Sequence, residues 1–501
     1  LGYVGSRERR DPRAPALGGG VVMEYLIVAL QACVVIGAIV MGVRTGGLGL
    51  GLWGVVGTVV LVFAFQLPPG SIPVDAFFII IAVITASSAM QAAGGIDYLV
   101  AIASKIIQRN PKRLTYVAPI VAFVFTLLAG TSNIYLALIP VIYETAYRNG
   151  QRPERALSAS TVTSALGITS SPVSAAMAAF LVLMEGTGYG LPQILLITIP
   201  AAVVACLVVA LVQQRIGKDL LDDKEFLKRV KEGTVEVPAS LRERYDEKFG
   251  GGAAADGSTG TRAAAAAART KAPVAPIEYT VPKGGKTAAM IFVSGTVLIV
   301  LFGLFPGLRP AFPDENGEMV AIGMTTIIEM IMFSAALAII LVRRVKPSVV
   351  VEQPLLRAGF TAAVALFGIA WMADTFISAN EETIIAPLGD LITNNPLWLA
   401  VALFLVAGLT TSQSATTNTL IPIALAAGLA PGIVIAMWPS LVGVWLFPAN
   451  GSQIAAVETD LTGSTKLTQV PVWHSFTIPM LVAWVAVVVA GLLIQLVIPA
   501  A

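Results

Sequence analysis

Between Asp390 and Glu458 the chain carries no charged residue, and shorter uncharged runs occupy 45–74, 114–143 and 186–214. A helix needs about 20 apolar residues to cross the hydrocarbon of a bilayer. Runs of this length have no place in a water-soluble domain, so the chain reads as an all-α polytopic membrane protein. Charge content agrees, because only 12% of residues are charged, where soluble domains carry about 25%.

The remaining charges are clustered. Arg215 to Lys283 holds 13 basic and 11 acidic residues, so one aqueous segment interrupts a lipid-embedded chain. The reading that follows is an unstructured N-terminal extension at 1–22, a membrane half at 23–212, a cytoplasmic linker at 213–285 and a second membrane half at 286–501. The first part of the linker suits a surface helix, whereas its Gly/Ala-rich remainder has nothing to bury and reads as a flexible connector. A net charge of +2 and a single His exclude a basic nucleic-acid surface and a histidine-built metal site. With His474 alone, the chain also lacks the Ser–His pair or ligand cluster of a membrane enzyme, and no resident cofactor is expected. Cys33 and Cys206 lie in apolar runs and are expected to be buried.

Membrane segments are predicted at 24–43, 48–66, 74–93, 114–145, 156–185, 192–212, 286–304, 319–342, 357–379, 396–428, 431–457 and 473–499. Segments 114–145, 156–185, 396–428 and 431–457 are too long for single spans, and each has a polar or Gly/Pro interruption near its middle, which predicts re-entrant hairpins and broken helices. The basic pairs Lys112/Arg113 and Arg148/Arg152 flank 114–145, and the positive-inside rule puts both in the cytoplasm, so this segment enters and leaves from one side. The loop after 357–379 carries Glu381, Glu382 and Asp390 without Lys or Arg and suits the outside. Hairpin 396–428 then opens outward, making the second half the first half upside down. LLAGTSNIYLALIPVI at 127–142 indeed parallels GLTTSQSATTNTLIPIAL at 408–425. Repetition and inversion together predict an inverted-repeat secondary transporter with discontinuous helices meeting near the midplane, an arrangement that resembles the ion transporter superfamily.

The interruptions are the candidate substrate site. The first hairpin turn offers Thr131, Ser132 and Asn133, and the break in 156–185 offers Thr169, Ser170 and Ser171 beside Pro172. The second turn offers Ser412, Gln413, Ser414, Thr416, Thr417 and Asn418, facing a break with Asn450 and Ser452 beside Pro448. Hydroxyls, amides and helix-start N–H groups can hold a dianion without a buried Arg, since each helix start carries about half a positive charge. Released carbonyls at the same breaks are suited to coordinate Na⁺. The competing reading is that Ser and Thr satisfy carbonyls of their own helices or join helices together. Pro172 and Pro448 each remove an intrahelical bond and so expose backbone. Asp374, an intramembrane carboxylate, divides between helix pairing and a gating or proton-coupling role. Glu185, Glu458 and Asp460 flank the broken helices and read as interfacial charges.

These hairpins and several ordered motifs resemble the anaerobic C4-dicarboxylate transporter family, the Dcu fumarate/succinate exchangers of the A/B type. The resemblance rests on VRTGGLGLGLWG (43–54), QAAGGIDYLV (91–100), RNPKRLTYVAP (109–119), GTSNIYLALIPVIYE (130–144), ITSSPVSAA (168–176), GIAWMADTF (368–376), SQSATTNTLIPIALAAG (412–428) and AAVETDLTGSTK (455–466). It implies transport of fumarate, succinate, malate and aspartate by exchange across a bacterial inner membrane, with 130–133 and 411–418 as paired hairpin tips. Analogy with elevator-type scaffolds implies a homodimer. Two other readings use the same scaffold: a Na⁺- or H⁺-coupled symporter of a dicarboxylate or other anion, and a dicarboxylate sensor whose 213–285 loop binds a regulatory partner.

Overall fold

Glycine and polar turns decide where the helices stop, whereas Pro119, Pro140, Pro200 and Pro422 lie inside continuous helices. The computed structural model describes residues 18–45, 48–72, 74–249, 282–313, 317–380, 395–447, 450–467 and 472–500. The chain begins with α1 (Gly18–Thr45), α2 (Gly49–Ala64), α3 (Val74–Ala92) and α4 (Gly95–Arg109). It continues with α5 (Leu114–Ala129), α6 (Asn133–Arg148), α7 (Pro153–Thr169), α8 (Ala175–Leu183) and α9 (Leu191–Gln213). The linker contributes α10 (Lys224–Lys231) and α11 (Ala239–Phe249). Then follow α12 (Gly285–Leu304), α13 (Met324–Arg343), α14 (Pro347–Val351) and α15 (Pro354–Ala379). The last membrane elements are α16 (Leu397–Thr410), α17 (Gln413–Ala426), α18 (Pro431–Met437) running into a 3-10 turn at Trp438–Trp445, α19 (Gly451–Thr459) and α20 (Thr477–Gln495). Among the described residues, seven helices are long and apolar enough to cross a bilayer, which makes this a multi-pass membrane protein.

The long segments are interrupted as their polar centres require. Segment 114–145 is the hairpin α5–α6, and 396–428 is the hairpin α16–α17. Segment 156–185 divides into α7 and α8, and 431–457 into α18 with its 3-10 turn and α19. The same order of elements, a helical hairpin followed by a broken helix, thus occurs in both halves of the chain.

Three features depart from the sequence reading. Helix α4 was not among the expected spans: it is an amphipathic helix set at 73° to α3, burying Ile96, Leu99, Val100, Ala103 and Ile107. That 3.6-residue stripe is visible in the sequence but is masked by the charges of Lys105 and Arg109. Segment 319–342 begins later than expected, because Met319–Ala321 pairs antiparallel with Ala311–Pro313 in a two-stranded ribbon and the helix starts at Met324. Cys206 is buried, but Cys33 is exposed, since α1 packs on one side only and presents the rest of its apolar surface outward.

Glycine sets the closest helix contact. A Cβ on Gly368 of α15 would lie 1.8 Å from the Gly51 carbonyl oxygen of α2, and one on Gly51 would lie 2.0 Å from the Val364 carbonyl oxygen. Such backbone-to-backbone contact is how small residues join helices in lipid, where no hydrophobic driving force acts between them. Neither backbone can yield, so Gly368→Leu is expected to destabilise by more than the about 1–3 kcal/mol typical of overpacking. Thermal unfolding of the purified variant checks this, and a melting temperature equal to that of the wild type would contradict it.

Candidate functional site

Helix α7 is the unusual element. Ser158, Ser160, Thr161, Thr163, Ser164 and Thr169 on this one helix are all fully buried. Most hydroxyls return to nearby carbonyls, as Ser158 Oγ does to Glu154 O at 2.6 Å and Ser164 Oγ to Thr161 O at 2.7 Å, a pattern that lets Ser and Thr sit inside an apolar core. Three bonds join these hydroxyls to other helices, one of them from Gln213 Nε2 of α9 to Ser158 Oγ at 2.7 Å. Thr163 Oγ1 donates to the Pro119 carbonyl on α5 at 2.9 Å, and Tyr135 of α6 pairs its hydroxyl with Thr161 Oγ1 at 2.6 Å. The first hairpin is therefore bound to the first broken helix along its length.

The hairpin tip abuts the break itself. Helix α5 ends on Gly130 at φ +67°, whose amide donates to Thr126 O at 2.8 Å. A Cβ at this position would lie 2.4 Å from the Val173 carbonyl oxygen. The break arises because Pro172 cannot continue a helix and Ser174 starts a new one, its Oγ accepting from the Met177 amide at 3.0 Å and donating to Ile168 O at 2.7 Å. Thr169, Ser170 and Ser171 are fully buried here. Their hydroxyls have protein partners: Thr169 Oγ1 donates to Leu166 O at 3.1 Å, Ser170 Oγ to Thr198 O at 3.4 Å, and Ser171 Oγ accepts from the Val173 amide at 3.3 Å. Thr131 and Ser132 at the tip are partly buried; Asn133 opens α6 and its side chain lies outside the described residues.

The second tip reaches the same place from the other half. Thr411 takes φ +50°, the counterpart of Gly130, and Ser412 caps α17 by accepting from the Ala415 amide at 3.2 Å. Gln413 Nε2 donates to the Ala165 carbonyl of α7 at 3.1 Å. Thr416 Oγ1 bonds Ser412 O at 2.8 Å and Thr410 Oγ1 at 2.9 Å, while Ser414 is partly exposed. Thr417 Oγ1 donates to Gln413 O at 2.8 Å and accepts from Trp438 Nε1 at 2.9 Å. Trp438 stacks on Phe180 of α8 with ring centroids 4.1 Å apart. Gln413, Thr417, Trp438 and Phe180 thus join second hairpin, second broken helix and first broken helix. Trp438 and Phe180 had no polar signature in the sequence and were not among the candidates.

Asn450 and Ser452 occupy a helix start. Asn450 Oδ1 accepts from the Ser452 amide at 3.0 Å, and Gln453 completes a capping box while its Nε2 donates to Trp445 O at 2.9 Å. Pro448, expected to break this helix, lies outside the described residues. Asp374 is apart from these turns: its Oδ2 accepts the Ser71 amide at 2.6 Å, and Thr375 Oγ1 beside it accepts the Gly70 amide at 3.0 Å. This carboxylate fastens α15 to the loop between α2 and α3.

Several buried polar atoms at and around these elements have no partner: Asn418 Nδ2 and Gln413 Oε1 on α17, Ser160 Oγ on α7, Thr126 Oγ1 on α5, and Ser440 Oγ and Trp445 Nε1 in the 3-10 turn. Most are donors, and an unmet buried donor costs about 1–3 kcal/mol. Arg152 is the only buried Lys or Arg among the described residues, and it is committed to Glu154 and Asp223. The arrangement can accept anionic oxygens through neutral donors.

Comparison with known proteins matches residues 27–498 to the anaerobic C4-dicarboxylate membrane transporter family. The C4-dicarboxylate transporter DcuA of Escherichia coli K12 is 34% identical over 91% of this chain and 95% of its own length. The anaerobic C4-dicarboxylate transporter DcuB of Escherichia coli O6:H1 is 32% identical over 91% and 96%, and DcuA of Wolinella succinogenes is 31% identical over 91% and 96%. Among solved structures, the antimetabolite efflux pump MtrF of Neisseria gonorrhoeae aligns with 94% of both chains at 13% identity and a TM-score of 0.47. A match over nearly the whole chain, to transporters rather than enzymes, places this protein in the anaerobic C4-dicarboxylate membrane transporter family.

Proposed function

We propose that the protein exchanges C4-dicarboxylates, fumarate, succinate, malate and aspartate, across a bacterial inner membrane by alternating access. The carrying observation is the hydrogen bond from Gln413 on the second hairpin to Ala165 O on the first broken helix, which puts a polar tip from one half against a broken helix of the other. Two copies of the hairpin-and-break unit, read as inverted repeats, supply such a meeting point near the midplane. In this reading the substrate carboxylates take up the donors left open on Asn418, Ser440 and Ser160, together with the tip groups of Thr131, Ser132, Asn133, Ser412 and Ser414. Charge neutrality of the lining favours release as well as capture, since the one buried Lys or Arg among the described residues, Arg152, is committed to Glu154 and Asp223.

Counterflow in proteoliposomes tests the proposal. Vesicles loaded with succinate should accumulate labelled fumarate, and empty vesicles should not, with or without a Na⁺ or proton gradient. Gradient-driven uptake into empty vesicles would replace exchange with symport. Competition by citrate, lactate or sulfate as effective as by malate would move the substrate class away from C4-dicarboxylates.

A further inference from the structure

The first part of the linker is fastened to the ends of the membrane helices by hydrogen bonds and an ion pair. Residues Leu220, Leu221, Phe226, Val235 and Leu241 form a small core of their own, closed by Tyr147 at the end of α6. From this part Asp223 reaches Arg152, just ahead of α7. Arg152 is 7% exposed; its Nε donates to Glu154 Oε2 at 2.5 Å and one terminal nitrogen to Lys218 O at 3.1 Å, the same nitrogen pairing with Asp223 Oδ2. Its other terminal nitrogen donates to the Ser464 carbonyl at 3.4 Å. Ser464 lies after α19, in the second half of the chain.

The second half returns these contacts. The Glu154 amide donates to Ser464 Oγ at 3.1 Å, and Ser475 Oγ donates to Glu154 Oε1 at 2.5 Å. Asp460, expected at the interface, is 2% exposed. Its carboxylate is satisfied by the Thr462 amide at 3.0 Å, the Thr465 amide at 2.7 Å, and the hydroxyls of Thr462 at 2.5 Å, Ser464 at 2.7 Å and Thr465 at 2.7 Å. Five donors hold a buried carboxylate without a cation, which stiffens the 460–465 loop. The linker touches that loop a second time: Arg229 of α10 donates to Leu461 O at 2.9 Å, and a Cβ on Gly463 would lie 2.5 Å from the Arg229 guanidinium carbon.

We propose that residues 216–248 act as a clasp, with Arg152 as its positioning residue, that fixes α7 and the tail of α19 to each other so that the two broken helices move as one body during transport. Both helices carry a candidate-site interruption in their segments, and both end on this cluster. A buried ion pair is weak as a source of stability but strong as a fixer of geometry, because losing one partner strands the other. Burial would raise the Asp223 carboxyl, but the Phe226 amide and the Arg152 guanidinium outweigh it and hold the group below the ordinary carboxylate value.

Asp223→Asn is the informative variant. Asn still caps α10, accepting the Glu225 and Phe226 amides that Asp223 Oδ1 accepts at 2.8 and 3.1 Å, because Asn and Asp are equally good N-caps. With that oxygen kept at the cap, the side-chain NH2 takes the place of Oδ2, so both the charge and the acceptor toward Arg152 are lost. Amide hydrogen exchange of the full-length protein is expected to speed up at 460–466, which Asp223 does not touch, by about five-fold or more. Counterflow is expected to lose turnover by a similar factor at unchanged KM, and Asp223→Glu to recover part of it. Wild-type protection at 460–466, or wild-type turnover, would overturn the clasp. If Asp223→Asn fails to accumulate, Arg229→Gln breaks the second contact and is read by the same two measurements. This inference rests on the transport reading only for turnover: a wild-type protein that carries no C4-dicarboxylate would refute that reading, while the exchange result would still decide the clasp.

Discussion

Asn418→Leu is expected to cut counterflow at limiting substrate by about ten-fold or more and leave the protein at least as stable as the wild type. Asn418 is 1% exposed, yet its Nδ2 has no acceptor. This unmet donor costs about 1–3 kcal/mol, and a leucine, which keeps the branched skeleton without the polar atoms, removes the penalty. The same donor facing a carboxylate would be worth about 1.5–3 kcal/mol, so its removal should weaken binding roughly 10- to 150-fold. Stability and function then move in opposite directions, as they do when a site retains polar groups for a ligand rather than for the fold. Asn418→Asp sharpens the result, since it keeps the shape but replaces the donor with a charge that repels the substrate. Melting temperature and counterflow measured together check the pair; a leucine variant that transports normally would remove Asn418 from the site.

Gly130→Val is expected to stop transport through geometry alone. The φ of +67° at this hairpin tip costs an ordinary L-residue about 1–2 kcal/mol, and more for a β-branched one. The added Cβ would also meet the Val173 carbonyl oxygen at 2.4 Å, forcing the tip away from the break. Gly186 separates the two effects. Its φ is +76° but nothing lies within 4 Å of its Cβ position, so Gly186→Ala carries backbone strain without a clash. Counterflow should fall at least ten-fold for Gly130→Val and stay near wild type for Gly186→Ala, the factor of ten corresponding to about 1.4 kcal/mol. Equal losses in the two variants would assign the effect to strain and not to the contact between tip and break.

The candidate residues separate according to what holds them. Thr169, Ser170, Ser171, Thr416 and Thr417 were legible as polar groups at interruptions, but their hydroxyls already have protein partners. Nothing local distinguishes them from Asn418, whose amide nitrogen lacks one. Ser160, Thr126 and Ser440 stood outside the interruptions and were invisible for that reason; only burial on all sides shows that their hydroxyls have no partner. Asp374 was legible as an intramembrane carboxylate, and its position against Ser71 depended on a loop some three hundred residues earlier in the chain.

By itself, the sequence determined the membrane class, the places where helices must break and the family motifs. Each is a local matter: hydrocarbon thickness sets how long an apolar run must be, αL residues and capping side chains end helices, and motifs are read in order along the chain. Tertiary structure alone decided that Gln413 meets α7, that Trp438 stacks on Phe180, and that a linker aspartate reaches both halves through Arg152. These are contacts between segments tens to hundreds of residues apart, and helix periodicity carries no record of which neighbour a buried face will find.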